Sequence, residues 1–87
     1  MKVAILQFPG SNCDWDAEHA VKDVLGIPAN RGWHKSPLPA ETEAVIVPGG
    51  VSFGDYLRCG AIAAKSHICQ SVIAHAQRGG FVLGVCN

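Results

Sequence analysis

Three short, nearly unbroken apolar runs punctuate the chain: Val3-Ala4-Ile5-Leu6 continuing to Phe8, Ala44-Val45-Ile46-Val47, and Phe81-Val82-Leu83 continuing to Val85. They are rich in β-branched and bulky residues, and the first two close on Pro9-Gly10 and Pro48-Gly49-Gly50. Runs without polar alternation predict strands covered on both faces, over residues 3–8, 44–47 and 81–85. After the first run, Ala17, Ala20, Val21, Val24 and Leu25 recur at i, i+3, i+4, i+7 and i+8, one buried stripe of a helix. Ser11 or Asn12 is placed to cap that helix. Asp14, Asp16 and Glu18 put negative charge in its first turns, where the helix dipole favours it. Gly26 followed by Pro28 ends it.

Residues 30–34 predict only a short strand, because prolines and Gly32 surround them and Asn30-Arg31-Gly32 offers little apolar surface for packing. A glycine-rich polar loop runs from Pro48 to about Asp55, and helical character begins near Tyr56. Ile68, Val72, Ile73 and Ala76 form a second apolar stripe, stopped by Gly79-Gly80. The order strand-helix-strand-strand-helix-strand with apolar strands predicts an α/β fold built on a parallel sheet.

Bulk properties narrow the function classes. Hydrophobic residues make up 48% of the 87, high for so short a chain, and seven basic residues balance seven acidic ones. A formal net charge of zero provides no basic footprint for nucleic acid and no polybasic membrane patch. Cys13, Cys59, Cys69 and Cys86 form no CxxC pair and no Cys/His spacing suited to zinc, so neither a disulfide framework nor a structural metal is expected. Reduced cysteines fit the cytoplasm. The apolar start of the chain is too short for a signal peptide and reads as a strand.

Ligands of an open parallel sheet bind at the carboxyl ends of the strands. Three segments reach that edge: Phe8-Pro9-Gly10-Ser11-Asn12, Pro48 to Asp55, and Cys86-Asn87. An apolar strand ending in Gly84-Val85-Cys86 suits a cysteine nucleophile elbow, a tight strand-to-helix turn that presents the sulfur. Backbone N–H groups of Gly49-Gly50 and of Asn87 are candidates for stabilising an oxyanion beside it. The glycine loop has neither GxxxxGK[ST] nor GxGxxG, so nothing here predicts nucleotide binding.

Phe8-Pro9-Gly10-Ser11-Asn12-Cys13-Asp14, Trp33-His34-Lys35, Pro48 through Ala63 (PGGVSFGDYLRCGAIA) and Gly84-Val85-Cys86-Asn87 together resemble the PurQ-type glutaminase subunits of phosphoribosylformylglycinamidine (FGAM) synthase, within the class I (triad) glutamine amidotransferases. The resemblance spans the whole chain in order and spacing. It implies a flavodoxin-like amidotransferase fold, of which residues 1–87 would be the N-terminal part of a single domain, ending just after the nucleophile elbow. It also implies that Cys86 attacks the side-chain amide of L-glutamine, with Gly50 and Asn87 N–H groups holding the oxyanion and Gly49 beside them in the oxyanion and substrate-binding turn. Ammonia would pass to a large synthetase subunit, assisted by a small accessory subunit, for the ATP-dependent conversion of FGAR to FGAM in purine biosynthesis. ATP and Mg²⁺ would belong to that partner and no cofactor to this chain. The family supplies a His and a Glu downstream of the elbow, so these 87 residues alone are expected to lack turnover. The alternatives are a PfpI-type cysteine-elbow hydrolase and a non-catalytic fragment that binds partners through an unpaired last strand.

The remaining chemistry-bearing residues read as structural. His19 and His75 fall off the apolar stripes of their helices and are expected at the surface, and His34 ends the weak strand. Cys13 and Cys69 read as core or partly exposed thiols, and Cys59 as a packed cysteine. Asp55 and Arg58 read as an ion pair shaping the loop, and Trp15 and Trp33 as packing or interface residues.

Overall fold

A computed structural model describes residues 1–10, 12–39, 41–50 and 59–85, with residue 59 described through its backbone alone. Four strands, β1 (Val3–Gln7), β2 (Ala29–Trp33), β3 (Ala44–Val47) and β4 (Phe81–Gly84), form one sheet in the order β2-β1-β3-β4. Every pairing is parallel, with Ile5 opposite both Arg31 and Ile46, and Ile46 opposite Leu83. The α/β parallel sheet expected from the apolar runs is what forms. β4, however, is not covered on both faces as its apolar run suggests: it is an edge strand, with Phe81 71%, Val82 44% and Leu83 56% exposed.

Strand parity divides the core in two. Val3 and Ile5 face α1 (Asp14–Glu18) and pack with Val21 and Ala29. Leu6 and Phe8 face the other way and pack with Val45 and Ile68 of α3 (His67–Gln77). Ile5, Leu6, Val45 and Ile68 are all but sealed from solvent. Each such side chain contributes about 1.5–3 kcal/mol relative to leaving it exposed.

The first helix departs from the expected register. Its α-helical part lasts five residues and continues into a π-helical segment, His19–Val24. Bonds such as Leu25 N–H to the Ala20 carbonyl, 3.0 Å, span five residues rather than four. A wider turn rotates later residues out of the 3.6-residue phase. Ala17 and Val21 therefore keep the core, whereas Val24 and Leu25, at 69% and 66% exposure, leave it. Asn12 does not cap this helix: Cys13 occupies the cap position and no side chain bonds there. Ser11 lies outside the described residues.

The second helical region is two helices, α2 (Cys59–Ala64) and α3. Ser66 divides them. Its hydroxyl donates to the Ala63 carbonyl at 2.6 Å and accepts from the Cys69 N–H at 3.4 Å, ending one helix and capping the next. The core-facing line of α3 is Ile68 and His75, both buried, with Val72 partly buried between them, while Ile73 is 48% exposed. His75 is thus a buried residue, not the surface histidine its place off the apolar stripe suggests. Its Nε2 lies 3.1 Å from the Phe81 carbonyl, and Gly80, lacking a side chain, leaves room for the ring.

β2 packs soundly despite its polar sequence, because parity sends its awkward residues to opposite faces. Arg31 turns toward α1, and Gly32 turns toward α3, where a Cβ would stand 2.8 Å from Ile68 Cδ1.

Candidate functional site

The carboxyl ends of β1, β3 and β4 come together. Past β3, the Gly49 carbonyl accepts from the Cys13 N–H at 3.3 Å, stitching the turn after β3 to the turn after β1. Gly50 has φ of 141°, and a Cβ there would overlap the Asn12 side-chain oxygen and stand 2.8 Å from the Asn12 backbone nitrogen. The position needs glycine both for its backbone conformation and for the close approach. Beyond β4, the Val85 N–H donates to the Val47 carbonyl at 2.9 Å, which continues the parallel ladder to the residue before Cys86. Gly49, Gly50, Asn12 and Val85 therefore share one edge of the sheet. Cys86 and Asn87 lie outside the described residues, as do residues 51–58 with Asp55 and Arg58.

A groove of about 550 Å³ runs from this edge across the α1 side of the sheet. Cys13, Asp16, Pro48, Gly49 and Val85 line it together with the apolar Ala20, Leu25 and Leu83. Cys13 and Cys69 are partly buried free thiols, as their sequence context suggests.

His75 meets the amino end of β4, and the other described histidines are placed elsewhere. His34 follows β2, the far edge of the sheet, three inter-strand steps or about 14 Å from β4. Its ring packs against Phe8 and Trp33, and burial, with Lys35 beside it a smaller cause, holds its imidazole below the ordinary range. His67 begins α3 next to it, the following residue donating its N–H to the His34 carbonyl at 3.1 Å. His19 is at the surface as expected, its Nδ1 2.9 Å from Asp23 Oδ2. His75 is engaged with the Phe81 carbonyl. Among the described residues, no group of His, Cys, Asp and Glu is arranged to hold a metal ion.

A charged cluster behind the edge is not evident from the sequence motifs. Asp14, the first residue of α1, is 1% exposed, and neither carboxylate oxygen has a hydrogen-bond partner among the described residues. Its counter-charge is Arg31 of β2, with Nη1 3.6 Å from Asp14 Oδ2. The same guanidinium has Nε 3.5 Å from Glu18 Oε1 and stacks 3.7 Å from the centre of the Trp15 ring. A cation in mid-strand, with three acidic residues on the preceding helix, was the available signal.

Comparison with known proteins agrees with this architecture. The phosphoribosylformylglycinamidine synthase subunit PurQ of Ruegeria sp. (strain TM1040) is 58% identical over 88 residues, and that of Sulfurimonas denitrificans 56%. In both cases the match covers all of this chain and 39% of the relative, so the chain spans about two fifths of the length of these curated relatives. A solved structure described as PurLQS from Thermotoga maritima superposes with a TM-score of 0.85 at 38% identity, covering 95% of this chain and 38% of that one. The model of the CobB/CobQ-like glutamine amidotransferase domain matches residues 1–87 without interruption, and the chain belongs to that family.

Proposed function

We propose that this chain carries the nucleophile and oxyanion part of a glutaminase that serves FGAM synthase. The observation that carries the reading is the meeting of the Gly49–Gly50 turn, Asn12 and Val85 at one carboxyl edge, with Cys86 next in sequence. In this reading the Cys86 thiolate attacks the side-chain amide carbon of glutamine. The negative charge that develops on the oxygen is met by the N–H groups of Gly50 and Asn87, the kind of donor that stabilises an oxyanion. Collapse of the tetrahedral intermediate breaks the C–N bond, and the departing nitrogen takes a proton and leaves as ammonia. Water then cleaves the γ-glutamyl thioester, releasing glutamate and the thiol.

The ammonia goes to a large synthetase subunit, with a small accessory subunit in the assembly, for the ATP-dependent conversion of FGAR to FGAM. ATP and Mg²⁺ act on that partner. The setting is the cytoplasm, and among the described residues no helix is long and apolar enough to cross a membrane. Residues 1–87 form the N-terminal part of one amidotransferase domain. By themselves they do not turn over, because a cysteine thiol near its usual pKa of about 8.5 needs a neighbouring base or cation, and the described histidines sit elsewhere.

The test is a hybrid in which this chain replaces the matching part of the Ruegeria subunit, assayed with its synthetase for glutamate release and FGAM formation. We expect hydrolysis by the hybrid, none by the 87 residues alone, and none after Cys86→Ala. An inactive hybrid that still folds and assembles, or one indifferent to Cys86→Ala, would overturn the reading.

A further inference from the structure

We propose that Asp14 and Arg31 form a positioning pair that holds the Gly49–Gly50 turn in place through the start of α1. The chain of contacts is continuous. Arg31 stands in the middle of β2, paired backbone to backbone with Ile5, so its Cα is fixed by the sheet. Its guanidinium reaches Asp14, Glu18 and the Trp15 ring at once, so it holds both ends of α1. Among the described residues no side chain caps the first turn of α1. Asp14 follows directly on Asn12 and Cys13, whose contacts with Gly50 and Gly49 define where the turn after β3 sits.

The burial of Asp14 is the second, independent indication. A carboxylate 1% exposed, with neither oxygen hydrogen-bonded among the described residues, is tolerated because a cation faces it. An acidic residue in a helix's first turn ordinarily faces the helix's own N–H groups; Asp14 instead directs its charge to the neighbouring strand. The first turn of α1 is therefore placed by β2, and any shift in it passes through a 3.3 Å hydrogen bond to Gly49. Arginine suits this role better than lysine, because one planar group can meet two carboxylates and an aromatic face together.

What the turn is positioned for rests on the glutamine-hydrolysis reading; the positioning itself does not. Amide hydrogen exchange on the isotope-labelled 87-residue chain decides the latter. Arg31→Gln and Asp14→Asn should each accelerate exchange of the Cys13 amide by about tenfold relative to the Ile5 and Val45 amides in the sheet. The double variant should be no faster than Arg31→Gln, and Arg31→Lys should fall between that variant and the parent chain. A Cys13 amide that exchanges no faster relative to the sheet in either variant, or single effects that simply add, would overturn the proposal. Should Arg31→Gln not fold, Asp14→Asn and Arg31→Lys carry the same comparison. In the hybrid subunit, Arg31→Gln should lower kcat by about tenfold with KM little changed, since misplaced oxyanion donors weaken the transition state more than substrate binding. An unaltered hybrid without glutaminase activity counts against the functional reading and leaves the exchange result to decide the positioning. Equal loss of kcat and thermal stability, fully restored at a temperature where the variant is folded, would reduce the pair to a structural role and also overturn the proposal.

Discussion

Replacing Gly50 by alanine is the most direct probe of the turn after β3. Two costs combine there. The backbone sits at φ of 141°, where a residue with a Cβ stores about 1–3 kcal/mol. The added Cβ also meets Asn12. The Asn12 side chain is exposed and can swing aside, but its backbone nitrogen at 2.8 Å belongs to the turn after β1 and can retreat only by loosening the Cys13–Gly49 hydrogen bond. Losing that bond adds about 1 kcal/mol, for a total near 2–4 kcal/mol. Typical stabilities of about 0.05–0.15 kcal/mol per residue give roughly 4–13 kcal/mol for a chain of this length, so the change is large.

Two other glycines separate the two costs. Gly26 has φ of 70° with nothing within 4 Å of a built Cβ, so Gly26→Ala isolates backbone strain at about 1–2 kcal/mol. Gly80 has no positive φ, but its Cβ would enter the His75 ring, so Gly80→Ala isolates the steric term. Urea unfolding followed by the fluorescence of Trp15 and Trp33 measures all three, and Asn12→Gly in the Gly50→Ala background should recover only part of the loss. If Gly50→Ala destabilises no more than Gly26→Ala, the close approach of the two turns is wrong, and with it the geometry on which the oxyanion assignment depends.

Ile68→Ala should cost about 2–5 kcal/mol, because Ile68 is fully buried against Leu6, Phe8 and Val45, and the loss should appear as a lower urea midpoint with an unchanged slope. Gly32→Ala forces Ile68 from its place and should cost about 1–3 kcal/mol, with Gly32→Ala/Ile68→Val recovering part of it in the same assay. His34 titrates below its unfolded value of 6.5 for reasons of burial and of Lys35, so the unfolded chain binds the proton first as pH falls. Stability should therefore decline as pH drops through 6.5 toward the folded pKa and level off below it; thermal melts between pH 5 and 7.5 should show this slope, and His34→Gln should flatten it.

The parallel sheet was legible because three of its four strands, β1, β3 and β4, carry apolar residues on both faces, a pattern that requires no knowledge of partners. Periodicity failed where backbone hydrogen bonding changed the period or where a polar side chain found a private partner. The π-helical segment moved Val24 and Leu25 out of the core although both lie on the 3.6-residue stripe. His75 entered the core because one carbonyl and one glycine, both after the helix ends, accommodate its ring. Arg31 and Gly32 look like poor strand residues one by one. Alternation gives one to the charged start of α1 and the other to Ile68, and each deficit becomes a contact. The glycine motif was visible for the same reason in reverse. Gly50 is glycine because another backbone lies against it, a constraint that leaves a mark in sequence, whereas Asp14 resembles any acidic residue at a helix start until its burial is known. A site built from close backbone approach can thus be read from sequence, and the charges that hold it in register need coordinates.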